Sequence, residues 1–182
     1  RPLTKKYWLS ELALVKVGSP ASPATSRFRA IDGGDDAATV WHEYTHGLSG
    51  RLVTHADGTS ALASVHAGAL GEAWSDFYAL DLLHRDGLEV DDPTVAGEVD
   101  VGAYSDAAPH ATRSQGADCA VGAPALACPG RGGAGPGGYT LGDLGRIFGG
   151  VEVHYDGEIW LETLWDVRQA LVAVFGSETV GS

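Results

Sequence analysis

The sequence predicts an α+β fold, mainly helical in this portion, from three observations. Apolar residues recur at helical spacing in two long segments, 69–86 and 156–175. A Gly/Asp turn, "DGGDD" at 32–36, stands where it can start a third helix. A short apolar run, Leu12–Val17, followed by "GSPASPATS", reads as one strand and a loop.

Taken in order, residues 1–36 form a strand and loop region. Asp35 or Asp36 caps a helix running from about Ala37 to Leu48. The segment 69–86 carries Leu70, Trp74, Phe77, Tyr78 and Leu82 on helical spacing, and Gly87 stops it. Residues 91–138 read as a long loop, ending in "PGRGGAGPGGY". Thr140 caps a short helix through Phe148. The last helix runs from about Asp156 to Phe175, carries Ile159, Trp160, Leu164, Val167 and Leu171, and ends at Gly176. The domain expectation is one partial domain over 1–182, divided into stretches 1–36, 37–90, 91–138 and 139–182.

Composition narrows the partners. With 44% hydrophobic and 20% charged residues the 182-residue chain is neither a disordered nor a membrane-spanning type. No run approaches the ~20 apolar residues of a spanning helix, so membrane insertion is not expected. Twenty-four acidic against 12 basic residues give a net charge of −12, which leaves no basic face for nucleic acid. The absence of Met means residue 1 is not an initiator, so a fragment or processed piece is expected. The lack of Asn, the few Lys and the abundant Ala, Gly and Asp resemble the usage of a high-GC bacterial genome. Cys119 and Cys128, in a Gly/Pro/Ala-rich stretch, suit an extracellular disulfide closing a small loop.

The chemistry concentrates at "VWHEYTHGLSGRL", residues 40–52. On a helix, His42 and His46 lie on one face a turn apart and can aim two imidazole nitrogens at one ion. Glu43 projects beside that face, suited to take a proton from a water there. This is the content of HExxH: two zinc ligands and a general base. The bland alternative is a surface helix with solvated histidines. A catalytic zinc takes three protein ligands. Glu72, in "GALGEAWSDFYAL", is the third candidate, and Asp76, four residues on, can accept the other ring N–H of a ligating histidine. Glu72 and Asp76 alone also fit a solvated helix face, but their neighbours are Trp74, Phe77 and Tyr78 rather than lysines.

"HEYTHGLSGRL" followed by "GEAWSDF", and then "VEVHYDGEIWLETLWDVRQAL" at 151–171, resembles the fungalysin-type extracellular metallopeptidases of the thermolysin-like group. The resemblance covers residues 30–175 in the same order. It implies a zincin-type catalytic core built on an HExxH helix, with one Zn2+ held by His42, His46 and Glu72. Glu43 would be the catalytic base and Asp76 the partner of a ligating histidine. It further implies His154 as an oxyanion stabiliser, partnered by Glu152 or Asp156, with Tyr155 as a weaker neighbour. The implied activity is a secreted zinc endopeptidase acting on proteins or peptides, with an N-terminal lobe or propeptide lying elsewhere in the full-length protein. The alternative is a catalytically silent, zinc-stabilised piece or binding module derived from such an enzyme.

Other signals carry less. "GRGGAGPGG" holds G-x-G-x-x-G at Gly130, Gly132 and Gly135 but lacks a preceding strand, and Pro136 sits where a helix would open. No G-x-S-x-G elbow exists. Asp32, Asp35, Asp36, Asp91 and Asp92 are a possible Ca2+ site, but without EF-hand spacing a solvated loop is favoured. His55, His66, His84 and His110 have no ligand-spaced partner and are read as structural or exposed.

Overall fold

The computed structural model describes residues 33–105, 110 and 112–176. The strand and loop read over residues 1–32 lie outside the described residues, as does Asp32. Three helices dominate the rest: α1 (Ala37–Leu52), α2 (Val65–Arg85) and α3 (Val153–Phe175). Among the described residues there is no strand, only an isolated bridge between Thr54 and Ser60.

Each helix starts at a side chain that satisfies its free N–H groups. Asp36, rather than Asp35, caps α1 by accepting the Ala38 N–H at 2.9 Å. Its second oxygen takes the N–H and O–H of Ser105 at 2.9 and 2.8 Å, which ties the start of α1 to a distant loop. The helix continues four residues past the expected end at Leu48. Ser64 caps α2 by accepting the Ala67 N–H at 3.3 Å, so this helix begins four residues before Ala69. Its first turn, Val65–Gly68, is mostly small and carries no apolar periodicity, which is why the pattern missed it. At the other end Gly87 adopts φ +73°, and the Leu88 N–H reaches back to the Leu83 carbonyl at 2.8 Å.

Glu152 caps α3, accepting the N–H groups of His154 and Tyr155 at 3.0 and 3.1 Å. The helix therefore starts at Val153, three residues before Asp156. The expected helix from Thr140 to Phe148 is a single 3₁₀ turn, Leu141–Asp143. Gly145 sits at φ +70° and gives its N–H to the buried Asp156 carboxylate at 2.8 Å, turning the chain before a helix can propagate.

The core lies where α2 and α3 meet. Ala73 and Leu80 of α2 pack on Leu161 and Trp165 of α3, with Val99, Val101 and Ala117 closing the cluster from the loop. Phe77 and Trp165 meet edge to face at 6.0 Å. Full burial of a leucine such as Leu80 or Leu161 is worth about 1.5–3 kcal/mol. Gly157 permits the closest approach: a Cβ there would lie 3.0 Å from the Ala69 carbonyl oxygen and 3.0 Å from the Glu72 Cβ. Glycine is thus what allows α3 to press on the turn of α2 that carries Glu72.

The long loop is anchored rather than free. Cys119 and Cys128 form a buried disulfide. Asp118 accepts the N–H groups of Glu98 and Val99 at 3.2 and 3.0 Å. Asp91 accepts from Trp165 Nε1 and Gln169 Nε2 at 3.2 and 3.0 Å, and Asp92 takes the N–H and O–H of Thr94. The acidic residues considered for Ca2+ include several, Asp36, Asp91 and Asp92 among them, that already serve protein donors.

Candidate metal centre

Helical spacing places His42 and His46 on one face of α1, their rings 4.6 Å apart and edge to face. From α2, Glu72 meets both: Oε2 lies 3.4 Å from His42 Nε2 and Oε1 lies 3.3 Å from His46 Nε2. One ligand atom from each of the three residues falls within 4.8 Å of the others. Among the described residues this is the one group of three or more His, Cys, Asp or Glu side chains that converges in this way. Two imidazole nitrogens and one carboxylate make a donor set that suits Zn2+ and leaves a coordination position over.

The state of each donor also suits a cation. Burial alone would raise the Glu72 carboxyl, but the His42 hydrogen bond and the charges of His154, His46 and Arg113 outweigh it and hold the group below its ordinary value. Glu72 is therefore an anion at neutral pH. His42 gives its other nitrogen, Nδ1, to Asp76 Oδ1 at 2.7 Å. An ionised carboxylate can only accept, so Nδ1 carries the hydrogen and Nε2 is left to face Glu72. Burial pulls the His42 ring down, yet hydrogen bonds to Asp76 and Glu72 win and raise it to about 9. A proton thus competes with any metal for Nε2.

The remaining site residues divide. His154, at the first turn of α3, brings Nε2 to 3.6 Å from Glu72 Oε2. Its Nδ1 bonds Glu152 at 2.6 Å, so the partner is Glu152. Asp156 instead holds the backbone of Gly145 and Glu152. Tyr155 stacks on Phe148 at 5.0 Å beneath Arg131. Glu43 is exposed on α1 between the two histidines. A cleft of about 250 Å3, lined by His46, Glu72, Ser60, Leu62, Gly68 and Gly71 among others, opens beside the ligand set. Of the other histidines, His110 pairs with Asp100, its N–H and Nδ1 reaching that carboxylate at 3.0 and 3.3 Å.

Arg113 is the participant that sequence reading missed. Its buried guanidinium lies against Asp76 and Glu72. Nothing local in "ATRSQG" marks it. The only available signal was indirect: carboxylates four apart among aromatic residues, Glu72 with Asp76, call for a cation from somewhere.

The fold and donor set define a two-histidine, one-carboxylate centre assembled from two consecutive helices. The family model described as fungalysin metallopeptidase (M36) matches residues 24–123. The chain belongs to the fungalysin metallopeptidase family. Relatives include extracellular metalloproteinase MEP of Leptosphaeria maculans, 52% identical over 48 residues, which are 26% of this chain and 8% of the relative. Extracellular metalloproteinase 2 of Arthroderma gypseum is 31% identical over 147 residues, 80% of this chain and 20% of the relative. The matches thus span between 8% and 20% of these two relatives' length. Both are fungal, and they give no support to the bacterial origin that composition suggested. No solved structure matches.

Proposed function

We propose that this chain carries the zinc-binding part of a secreted metalloendopeptidase catalytic domain of the zincin type, hydrolysing peptide bonds of extracellular proteins. The observation that carries the reading is the convergence of His42, His46 and Glu72, with ligand atoms within 4.8 Å and His42 turned by Asp76. Bound zinc would supply Lewis acidity and an acidified water at neutral pH. The chain's own residues do the rest. His42, His46 and Glu72 hold the ion. Glu43, the neighbour of His42, takes the proton of the attacking water and returns it to the leaving amine. His154, held at Nδ1 by Glu152, offers Nε2–H in the doubly protonated form of the ring as a donor to the carbonyl oxygen as negative charge develops there. Its substitution by Ala is expected to lower kcat by about 10²–10³-fold while zinc content stays unchanged.

Further protein belongs on this core. Trp41, Tyr44, Leu48, Leu52, Trp74 and Tyr78 line much of an outward apolar groove of about 340 Å3. That surface, together with the short span of the relatives covered, supports a missing N-terminal lobe. It also favours one alternative, a piece that binds zinc but does not cleave alone.

The test is zinc analysis paired with casein hydrolysis on wild type and Glu43→Gln. One zinc per chain in both, with hydrolysis lost by about 10²–10⁴-fold in the variant, is the expected result. Undiminished hydrolysis by zinc-loaded Glu43→Gln would overturn the mechanism. Zinc binding by wild type without hydrolysis would support the silent alternative.

A further inference from the structure

Three successive loop residues, Arg113, Ser114 and Gln115, each place a side chain on buried carboxylates of the two core helices. Arg113 reaches α2. Its Nε donates to Asp76 Oδ2 at 2.7 Å and its Nη2 to Asp76 Oδ1 at 3.1 Å. Nη2 also lies 3.4 Å from Glu72 Oε2, and Nη1 lies 3.4 Å from the Thr112 carbonyl. Ser114 gives its N–H and its hydroxyl to Glu158 of α3, the hydroxyl at 2.7 Å. Gln115 Nε2 donates to Glu162, one turn further along α3, at 2.7 Å. The strap is therefore pinned at both ends of a short span, and Arg113 has little freedom to leave.

We propose that Arg113 is a positioning residue for metal capture, acting through Asp76; this rests on the zinc site proposed above. Asp76 is fully buried, and among the described residues its side chain bonds His42 and Arg113. The guanidinium fork approaches both carboxylate oxygens and fixes the plane of the group. Oδ1 keeps a lone pair aimed at His42 Nδ1, so the imidazole is held with Nε2 towards Glu72 and His46. Without the fork, a buried carboxylate with a single partner would rotate, and His42 would rotate with it.

Charge repulsion acts the other way. A cation 3.4 Å from Glu72 repels an incoming metal ion and competes for its ligand. That contact is at the outer limit of a hydrogen bond, whereas the Asp76 contact at 2.7 Å is short and two-pronged. Orientation therefore outweighs repulsion, and loss of Arg113 weakens zinc binding.

The experiment measures Zn2+ affinity of the full 182-residue chain by competition with a chromogenic chelator. The variants are Arg113→Met, Arg113→Lys, Asp76→Asn and Asp76→Asn/Arg113→Met, with folding checked by circular dichroism. Arg113→Met is expected to bind at least tenfold more weakly, the order of effect seen when an outer partner of a metal ligand is removed. Lysine keeps the buried charge and lacks the fork, so Arg113→Lys is expected to be weakened as well. It carries the test if the methionine variant does not fold. The double variant should bind within about threefold of Asp76→Asn, because Arg113 acts through that carboxylate. Wild-type affinity in both Arg113 variants, tighter binding in Arg113→Met, or additive losses in the double variant would each overturn the inference. If wild type itself bound no Zn2+, the zinc site would fall and this inference with it.

Discussion

Glu162→Gln tests how the strap that carries Arg113 is held. Glu162 is 3% exposed and faces two fixed donors. Gln115 cannot flip its amide, because Oε1 accepts the Gly130 N–H while Nε2 donates to the Gly137 carbonyl, both at 3.0 Å. Its Nε2 must therefore donate to Glu162 Oε1, and the Tyr139 N–H takes the other oxygen. A glutamine turns an N–H donor towards one of these donors, which costs about 1–3 kcal/mol. Against this, burial pushes the Glu162 carboxyl up from 4.5 to about 9, even though the Gln115 and Tyr139 hydrogen bonds pull it down. A folded value above the unfolded one means that the folded chain binds the extra proton between those limits. Its stabilising effect is complete below about 4.5 and is lost as pH rises towards 9. At ~1.4 kcal/mol per pH unit the interval sets an upper limit of roughly 6 kcal/mol. Urea unfolding followed by tryptophan fluorescence, in chelator and from pH 5 to pH 9, reads the difference. Wild type should be the more stable protein at pH 5, and the gap should close and then reverse with rising pH. Glu158, raised by burial to about 7, is present in both proteins and cancels to first order. Parallel stability curves for wild type and variant would refute the reasoning.

Two further perturbations probe other parts of the frame. Gly157→Ala places a methyl 3.0 Å from the Ala69 carbonyl and the Glu72 Cβ, so despite a helix-propensity gain of about 1 kcal/mol it should destabilise by about 1–2 kcal/mol. Because the strain falls on the turn bearing Glu72, zinc affinity should drop too, and chelator competition measures it. Removing the disulfide by Cys119→Ser/Cys128→Ser opens a loop whose ends are nine residues apart and should cost about 3 kcal/mol. Urea midpoints of the variant, and of reduced wild type, check that value and should agree.

Much of the site was legible because its spacing is local. The period of a helix puts His42 over His46 and Glu72 over Asp76 whatever surrounds them, so both halves of the proposed site could be read from residue types alone. The two cysteines likewise lie close enough in the chain for their pairing to be anticipated. Helix starts were less legible, since Ser64 and Glu152 cap first turns without an apolar pattern, and glycines after Thr140 cut an expected helix to a single turn.

Packing selects which residues far apart in the chain meet. Glu152 rather than Asp156 partners His154, because Asp156 is drawn inward to hold the turn at Gly145. Arg113 lies 37 positions from Asp76 along the chain, and no periodicity links them. Only the packing of α2 on α3, brought close by Gly157, buries Glu72, Asp76, Asp156, Glu158 and Glu162 together, and each takes a donor from a loop. Residue spacing alone carries the local geometry of the candidate metal site; the folded chain supplies what holds that geometry still, since desolvated charge must find its partner wherever the fold offers one.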